Sequence, residues 1–341
     1  MNAKNYAFAL CFVVACAPTV PKNQVIAYGL AGGKNHSVAR TAAQNRAIAS
    51  LQWMMAVDAV SFTYRVAGQD SALETTSVAA AGKFESTEFV PLANGWASKA
   101  VATRSQAVAD AMAAMTFAMG SGEARREDPG VAMLVAQTRA VRAVLAPLAA
   151  DCAEAGCKLT GTLTIKEIRP EFFDDGIKLT LVASAKVVRQ DAAVAEDRAA
   201  AHVASAVELA QEKRWAQALE SLDRAISETP DAGALYAQRG TLLSLRGPAP
   251  RPAAAPAAAT APAGPAEDQE KPAKIANLKE IVAAFTRAAE LDTGNEKYKR
   301  DLADAQAKLA LLEPPPPPVA APETKTPAAP PKKKAGKKHA K

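Results

Sequence analysis

The sequence predicts a mixed α+β domain over residues 23–190, followed by an all-α helical-repeat domain over residues 192–312. Short runs in which apolar and polar residues alternate indicate strands in the first part, and helical spacing dominates from Ala192 onward. Hydrophobic residues make up 49% of the 341 residues, but only 5% are aromatic. Because alanine supplies much of the apolar content, helices in close contact are expected.

The first elements of the α+β domain can be placed from their apolar patterns. A short apolar run, Asn23–Tyr28, ends in the glycine-rich segment 29–33. Apolar residues at every second position, Phe62, Tyr64 and Val66, indicate a strand. Between them we predict a helix over Ser37–Met55 with Ser37 as its N-cap. Its predicted core positions are Val38, Ala42, Ile48, Leu51 and Met55.

A second group of elements follows in a similar order. Residues 83–92 and 96–103 are predicted to pair across Asn94-Gly95, and a helix is expected over Val131–Ala150. A hairpin of residues 158–168 and 177–188 then turns at Asp174-Asp175-Gly176. Its predicted buried side consists of Leu163, Ile165, Ile177, Leu179, Leu181 and Val187. Residues 42–47 and 136–141 are similar, which leaves open an internal duplication or chance likeness between alanine-rich helices.

This domain resembles the LPP-twenty lipoprotein family. The similar features are the strand and turn of residues 28–33, a helix with alanine-spaced positions from Val38 to Leu51, and a returning strand pair around Trp96. The sequence departs from that pattern at the inserted segment 57–82 and in its alanine content. The resemblance implies an α+β module that packs against partners or a membrane surface and has no catalytic residue.

The amino terminus indicates export. After Lys4, the ten apolar residues 6–15 are too few to span a bilayer as a helix and fit the apolar core of a secretory signal over residues 1–15. Val13-Val14-Ala15-Cys16 resembles the lipobox of bacterial lipoproteins. The resemblance implies cleavage before Cys16, three acyl chains on that cysteine and a tether over residues 16–22. An ordinary signal peptide with an incidental Cys16 is the alternative.

Export bears on two further questions: which membrane holds the anchor, and whether the remaining cysteines are oxidised. By resemblance to enteric lipoproteins, Ala17 favours the outer membrane, with the body facing the periplasm. No later run of 18 apolar residues exists, so no other segment is expected to span a membrane. In an oxidising compartment Cys152 and Cys157 are predicted to form a disulfide. Two thiolates without a nearby histidine do not make a zinc site, and redox dithiols usually have a shorter spacing.

The second domain resembles tetratricopeptide repeats, which are helical hairpins of 34 residues. The residues that match the pattern are Ala206, Leu209, Trp215, Ala218, Leu222, Ala225 and Pro230. A second unit starts at Ala234, is interrupted by a segment over residues 248–274 that is predicted to be disordered, and resumes at Ile281. A last helix covers residues 296–312. The resemblance implies a concave surface that docks peptides, and an alanine-rich hairpin without a binding role is the alternative. We expect these helices to pack on the first domain or on a second copy.

The tail, residues 313–341, is predicted to be a disordered proline- and lysine-rich arm. Residues 314–341 hold seven lysines and one glutamate, so they carry the whole net charge of +6. The predicted polyanion-binding residues are Lys332, Lys333, Lys334, Lys337, Lys338 and Lys341. Acidic lipids, lipopolysaccharide and the cell wall are the candidate partners, and solubilising disorder is the alternative. The neutral body argues against nucleic acid.

No enzyme, metal or cofactor motif is recognised. The segment 29–34 has the wrong spacing for a phosphate loop, and Glu171, Asp174 and Asp175 fit a turn better than a catalytic cluster. His36, His202 and His339 have no ligand partners at a suitable sequence spacing. The sequence therefore predicts a lipid-anchored envelope protein that scaffolds or assembles other proteins, with a flagellar accessory role as its most specific form. A tether that binds cell wall or lipopolysaccharide through the tail is the alternative.

Overall fold

The computed structural model describes residues 23–77, 86–92, 94–152, 155–173, 176–248 and 266–313. An N-terminal region combines helices with two sheets, and a later region is entirely helical. The predicted order of a mixed region followed by a helical one is confirmed. The predicted signal peptide with Cys16, the tether and the lysines of the tail lie outside the described residues.

Eight strands and eight α-helices are described. In chain order they are β1 (Gln24–Gly32), α1 (His36–Met54), β2 (Val60–Ala67), β3 (Asp70–Ser77), β4 (Ser86–Leu92), β5 (Gly95–Thr103), α2 (Gln106–Ala113), β6 (Ala118–Arg125), α3 (Pro129–Leu145), β7 (Cys157–Phe173), β8 (Gly176–Asp191), α4 (Ala195–Gln211), α5 (Trp215–Glu228), α6 (Gly233–Arg246), α7 (Ala266–Leu291) and α8 (Glu296–Leu312). Both predicted hairpins are present, whereas β3, α2 and β6 were not predicted.

Both sheets are antiparallel and each is covered by a helix. One has the strand order β1-β5-β4, and the other has the order β3-β2-β7-β8-β6. Helix α1 packs on β1 and β5, and α3 packs on β6 and β8. A single hydrophobic core runs through both sheets and includes the predicted residues Leu163, Ile165, Ile177, Leu179 and Leu181. Val187 is only partly buried at the margin of this core.

The same connectivity occurs twice in this region. A strand and a helix are followed by a hairpin whose second strand pairs with the first strand, in β1-α1-β4-β5 and again in β6-α3-β7-β8. Gly95 and Gly176 begin the returning strands at equivalent positions. The β2–β3 hairpin is inserted in the first unit and pairs with β7 of the second. It lies within the segment that departs from the LPP-twenty pattern.

Matched residues in the two units lie at one constant separation in the sequence. The pairs are the N-caps Asn35 and Asp128, the strand glycines Gly29 and Gly122, and the arginines Arg46 and Arg139. Each arginine donates from Nη1 to a carbonyl oxygen of its own first strand, that of Leu30 at 2.5 Å and that of Glu123 at 2.6 Å. This correspondence pairs Ala43 with Ala136, one position away from the alignment drawn from the sequence.

The strand glycines explain how closely the helices approach the sheets. A Cβ on Gly29 would overlap the backbone of α1 at Ala43 and Ala47. A Cβ on Gly122 would overlap the backbone of α3 at Ala136 and Ala140 in the same way. Because glycine faces alanine, the strand and helix backbones can lie in direct contact.

Two predictions for α1 are wrong. The N-cap is Asn35, not Ser37, because the Asn35 Oδ1 accepts hydrogen bonds from the backbone N–H groups of Ser37 and Val38. Val38, a predicted core position, is 62% exposed. The predicted Leu51 is buried, and Ala42, Ile48 and Met55 are half-buried. The buried residues are Ala39, Ala43, Ala47, Ser50, Leu51 and Met54. The small Ala43 and Ala47 lie where the strand comes closest to the helix.

The helical region consists of α4 to α8. Helices α4 and α5 form a hairpin, and α6 packs on α7 although residues 247–265 separate them. The predicted boundary of the disordered linker at Lys274 is wrong, because α7 begins at Ala266 and includes Pro272. The Glu270–Lys274 ion pair, at 2.9 Å and one helical turn apart, supports this first part of α7. Residues 249–265 of the linker lie outside the described residues.

Candidate functional site

A groove of about 600 Å³ lies between α6, α7 and α8. Its apolar part comes from Leu278, Ile281 and Phe285 on α7, together with Ala305 and Leu312 on α8. Ile281, Phe285 and Ala305 are buried in the cluster that holds these helices together. The groove therefore has a firm apolar floor that an inserted side chain could contact.

The rim of the groove is polar. Thr241 and Ser244 of α6 donate to backbone carbonyl oxygens within their own helix. Lys297 and Asp301 of α8 form an ion pair at 2.6 Å, one turn apart. Pro248, the last described residue before the linker, also lines the groove. Asp304 and Lys308 of α8 also line the groove. An apolar floor with both charges on its rim suits a peptide better than a small charged ligand.

The residues singled out for the repeat pattern lie mainly at the α4–α5 contact. Ala206, Ala218, Leu222 and Ala225 are buried, and Leu209 and Trp215 are half-buried. Pro230 is exposed after the end of α5. None of these seven residues lines the groove. Ala206, Leu222 and Ala225 share one apolar cluster, so they contribute to helix packing and not to the candidate binding surface.

Helix α4 joins the helical region to the sheets, as expected for helices that pack on the first domain. His202 Nδ1 lies 2.6 Å from Asp70 Oδ2, and both residues are 7% exposed. Ser221 of α5 also reaches Asp70, with Oγ at 3.4 Å from Oδ1. Burial alone would raise the pKa of Asp70, but its hydrogen bonds with His202 and Ser205 and the nearby charge of Arg224 outweigh burial and lower that pKa.

Three further carboxylates of α4 and its C-terminus contact the sheet region. Asp197 accepts from Arg65 Nε at 2.6 Å and from Lys158 Nζ at 3.0 Å. Glu208 and Glu212 contact arginines of α3, with Arg139 Nε 2.8 Å from Glu208 Oε1. Burial opposes ionisation of all three, but their cationic partners prevail and lower the pKa of each carboxyl.

The Asp70 cluster is suited to joining elements, not to catalysis. A nucleophilic relay needs a serine on one imidazole nitrogen and a carboxylate on the other. Here His202 and Ser221 both contact Asp70, and all three side chains are buried. His202 has a carboxylate partner after all, but one 132 residues away, which sequence spacing could not reveal.

The remaining candidate residues are placed as follows. Cys152 and Cys157 form a disulfide with Cα atoms 5.5 Å apart, between the end of the α3 segment and β7. Gly29 is in a strand packed on α1 and not in a phosphate-binding loop. Asp174 and Asp175 lie outside the described residues, as does His339. Within the described ranges, no group of three or more metal-ligand side chains occurs.

One helix in the described part of the chain has the length and composition to cross a membrane. It covers Pro129–Ala149 and reaches a mean hydropathy of 1.4, although it is interrupted by Gln137, Arg139 and Arg142 and so is not an unbroken apolar run. This segment packs on β6 and β8 and supplies buried residues to the core. We therefore interpret it as the core helix of the second unit.

No family model matches the chain, and no curated protein is significantly similar to it. The resemblances to lipoproteins and to tetratricopeptide repeats rest on the motifs described above.

Proposed function

We propose that this chain is a lipid-anchored protein of the bacterial cell envelope whose helical region binds a partner protein, as a scaffold or assembly factor. The open groove between α6, α7 and α8 carries this proposal, since it combines a buried apolar floor with a polar rim. A flagellar or surface-machine accessory role is the most specific form of it. The signal-like start and Cys16 support the envelope location.

We infer that α4–α5 and α6–α7 are two tetratricopeptide-like hairpins closed by α8. The small residues Ala206 and Ala225, which share one apolar cluster of α4 and α5, support this, because they allow two helices to approach closely. The second hairpin is divided by the linker, yet α6 and α7 still share one apolar cluster. The groove lies between this second hairpin and α8.

Site-specific crosslinking in cells tests the groove. A photoreactive residue at Ser244, on the groove rim, is expected to give one discrete protein adduct. The same residue at Glu220, which is exposed on α5 away from the groove, is the matched control and should not give that adduct. Equal adducts from both positions, or none from Ser244, would contradict the proposal.

The anchor is tested separately. The mass of the native protein should show cleavage before Cys16 and three acyl chains, and Cys16→Ser should release the protein from the membrane fraction. An intact leader without acyl mass would refute the envelope location.

The charge of the tail favours a second candidate function, a tether to cell wall or lipopolysaccharide. All of the net charge lies in residues 314–341, behind a run of prolines that would extend it from the body. Binding to isolated cell walls should fall steeply with salt and disappear when residues after Glu313 are removed. Binding that persists in the truncated chain would exclude the tail as the tether.

A further inference from the structure

The side chain of Arg40 is held between two aromatic rings on the surface of the first α/β unit. Its guanidinium carbon lies 4.6 Å from the centre of the Phe89 ring and 4.8 Å from that of Trp96. The indole N–H of Trp96 donates to His36 Nδ1 at 3.1 Å, which fixes this ring against α1. Arg40 is exposed, so its planar group has a defined orientation while it faces solvent.

Arg40 has no hydrogen-bond acceptor among the described residues, and this sets it apart from the other described arginines. Each of the others donates to a carboxylate, an amide or a backbone carbonyl; examples are Arg65 to Asp197 and Arg46 to the Leu30 carbonyl. Arg287 also lies over a ring, that of Tyr236, but it pairs with Glu290 at 3.1 Å.

Arg40 forms no ion pair with a carboxylate of the described residues. On the two strands that supply the aromatic rings, Glu88 and Lys99 face each other at 3.5 Å and form an ion pair of their own. The contact of Arg40 with two rings reduces its rotamer freedom before any ligand arrives. The N–H groups of its guanidinium are therefore held in a defined orientation, and the described part of the chain offers them no acceptor.

The chemistry of this surface favours a carboxylate. A guanidinium can bind the two oxygens of a carboxylate side by side, and the flanking rings, which are only half-buried, can offer apolar contact to the neighbouring atoms. Anionic membranes and nucleic acids are usually bound by clusters of several cations. A single uncompensated arginine between aromatic rings matches one acidic side chain of a protein segment.

We propose that Arg40, Phe89 and Trp96 form a docking site for an acidic peptide segment of a partner protein, in which Arg40 binds a glutamate or aspartate carboxylate. The site lies on α1, β4 and β5 and shares no residue with the groove between α6, α7 and α8. The outcome of a test of this site therefore does not depend on the proposed function of the helical region.

The test is a titration of the full-length, ¹⁵N-labelled chain with capped hexaglutamate, followed at the indole N–H signals. The chain has three tryptophans, so Trp96→Phe identifies the signal of Trp96. We expect that signal to shift and saturate with hexaglutamate and to stay unchanged with capped hexaglutamine. Because the signal is local, binding of the peptide to the lysine-rich tail does not obscure it.

Substitutions of two arginines distinguish a specific binding site from general electrostatic attraction of the peptide to the chain. Arg40→Gln should weaken binding at least fivefold, and Arg40→Lys, which keeps the charge but loses the planar fork, should weaken it at least twofold. Arg287→Gln is the matched control and should bind as the unchanged chain does. The proposal is overturned if Trp96 does not respond to hexaglutamate or if both Arg40 variants bind normally. A response only to inorganic phosphate or to anionic phospholipid vesicles would overturn it in favour of a phosphate site.

Discussion

Asp70, the first residue of β3, and His202, in the middle of α4, form a buried pair that joins the sheet region to the helical region. The pair belongs to a series of contacts along α4 that continues through Asp197, Glu208 and Glu212. Every one of these contacts links the helix to β2, β3, β7 or α3, or to the turns beside them. The position of the helical region thus depends on polar contacts as well as on apolar packing, and this has measurable consequences.

Asp70→Ala should destabilise the chain by about 3 kcal/mol, because it leaves the buried His202 and Ser221 without their acceptor. Urea unfolding measures this change. The control Asp223→Ala removes an exposed carboxylate paired with Arg239 and should cost less than about 0.5 kcal/mol. Equal effects of the two substitutions would show that the Asp70 cluster does not stabilise the junction.

Acid should weaken the same junction. Asp70, Asp197, Glu208 and Glu212 all have a pKa below the ordinary value, since their hydrogen-bonding and cationic partners outweigh burial. A carboxyl with a lowered folded-state pKa contributes its full stability above its unfolded pKa, about 4, and loses it as the pH falls through the folded value. These groups therefore predict no change between pH 5 and 8 and a loss of stability below about pH 4.

Unfolding in urea at pH 7 and at pH 3 measures this loss. Asp197→Asn combined with Glu208→Gln should lower stability at pH 7 and reduce the difference between the two pH values. An unchanged difference in that double variant would assign the acid sensitivity to other carboxylates.

Gly29→Ala should destabilise the first unit by about 2 kcal/mol or more, because the added methyl group meets the backbone of α1 and not a movable side chain. Gly122→Ala should have a similar effect through α3. Gly294→Ala is the control, since the nearest atom to its Cβ is 3.8 Å away. Thermal unfolding of the three variants measures the loss of stability. If Gly29→Ala and Gly122→Ala are as stable as Gly294→Ala, the strands and helices can move apart without cost.

Replacing Cys152 and Cys157 together by serine should cost about 2 kcal/mol, the loop-closure entropy expected for so short a loop. A reductant should destabilise the unchanged chain by a similar amount and have no effect on the double variant. Alkylation of both thiols without prior reduction would show that the disulfide is not formed in the native protein.

The sequence was informative where side-chain size and turn residues determine structure. The hairpin of β7 and β8 was placed correctly because Leu163, Ile165, Leu179 and Leu181 alternate on one face. Strand β6 was not predicted because its glycines, among them Gly122, lower strand propensity, and their role becomes visible only when α3 lies against them. Leu51 of α1 was placed correctly in the core, whereas Val38 was wrongly assigned to it for the same reason.

Contacts between distant parts of the chain were beyond sequence reasoning. The groove depends on how α6, α7 and α8 pack, and no motif marks its lining residues. The Arg40 site joins residues of α1 with two strands that follow much later, so neither Phe89 nor Trp96 suggested it. The repeated unit was visible in part, but its correct alignment required the matched N-caps, strand glycines and arginine hydrogen bonds of the structure.

The long connection between α6 and α7 implies that these helices recognise each other without a tight turn. Their shared cluster, with Leu243 on one side and Phe285 on the other, holds them together, and the cost of closing a loop grows slowly with its length. A break in the backbone between Pro248 and Ala266 should therefore be tolerated. Two separately produced fragments, divided there, should associate on mixing, which makes this position a natural place to split the molecule into a complementing pair.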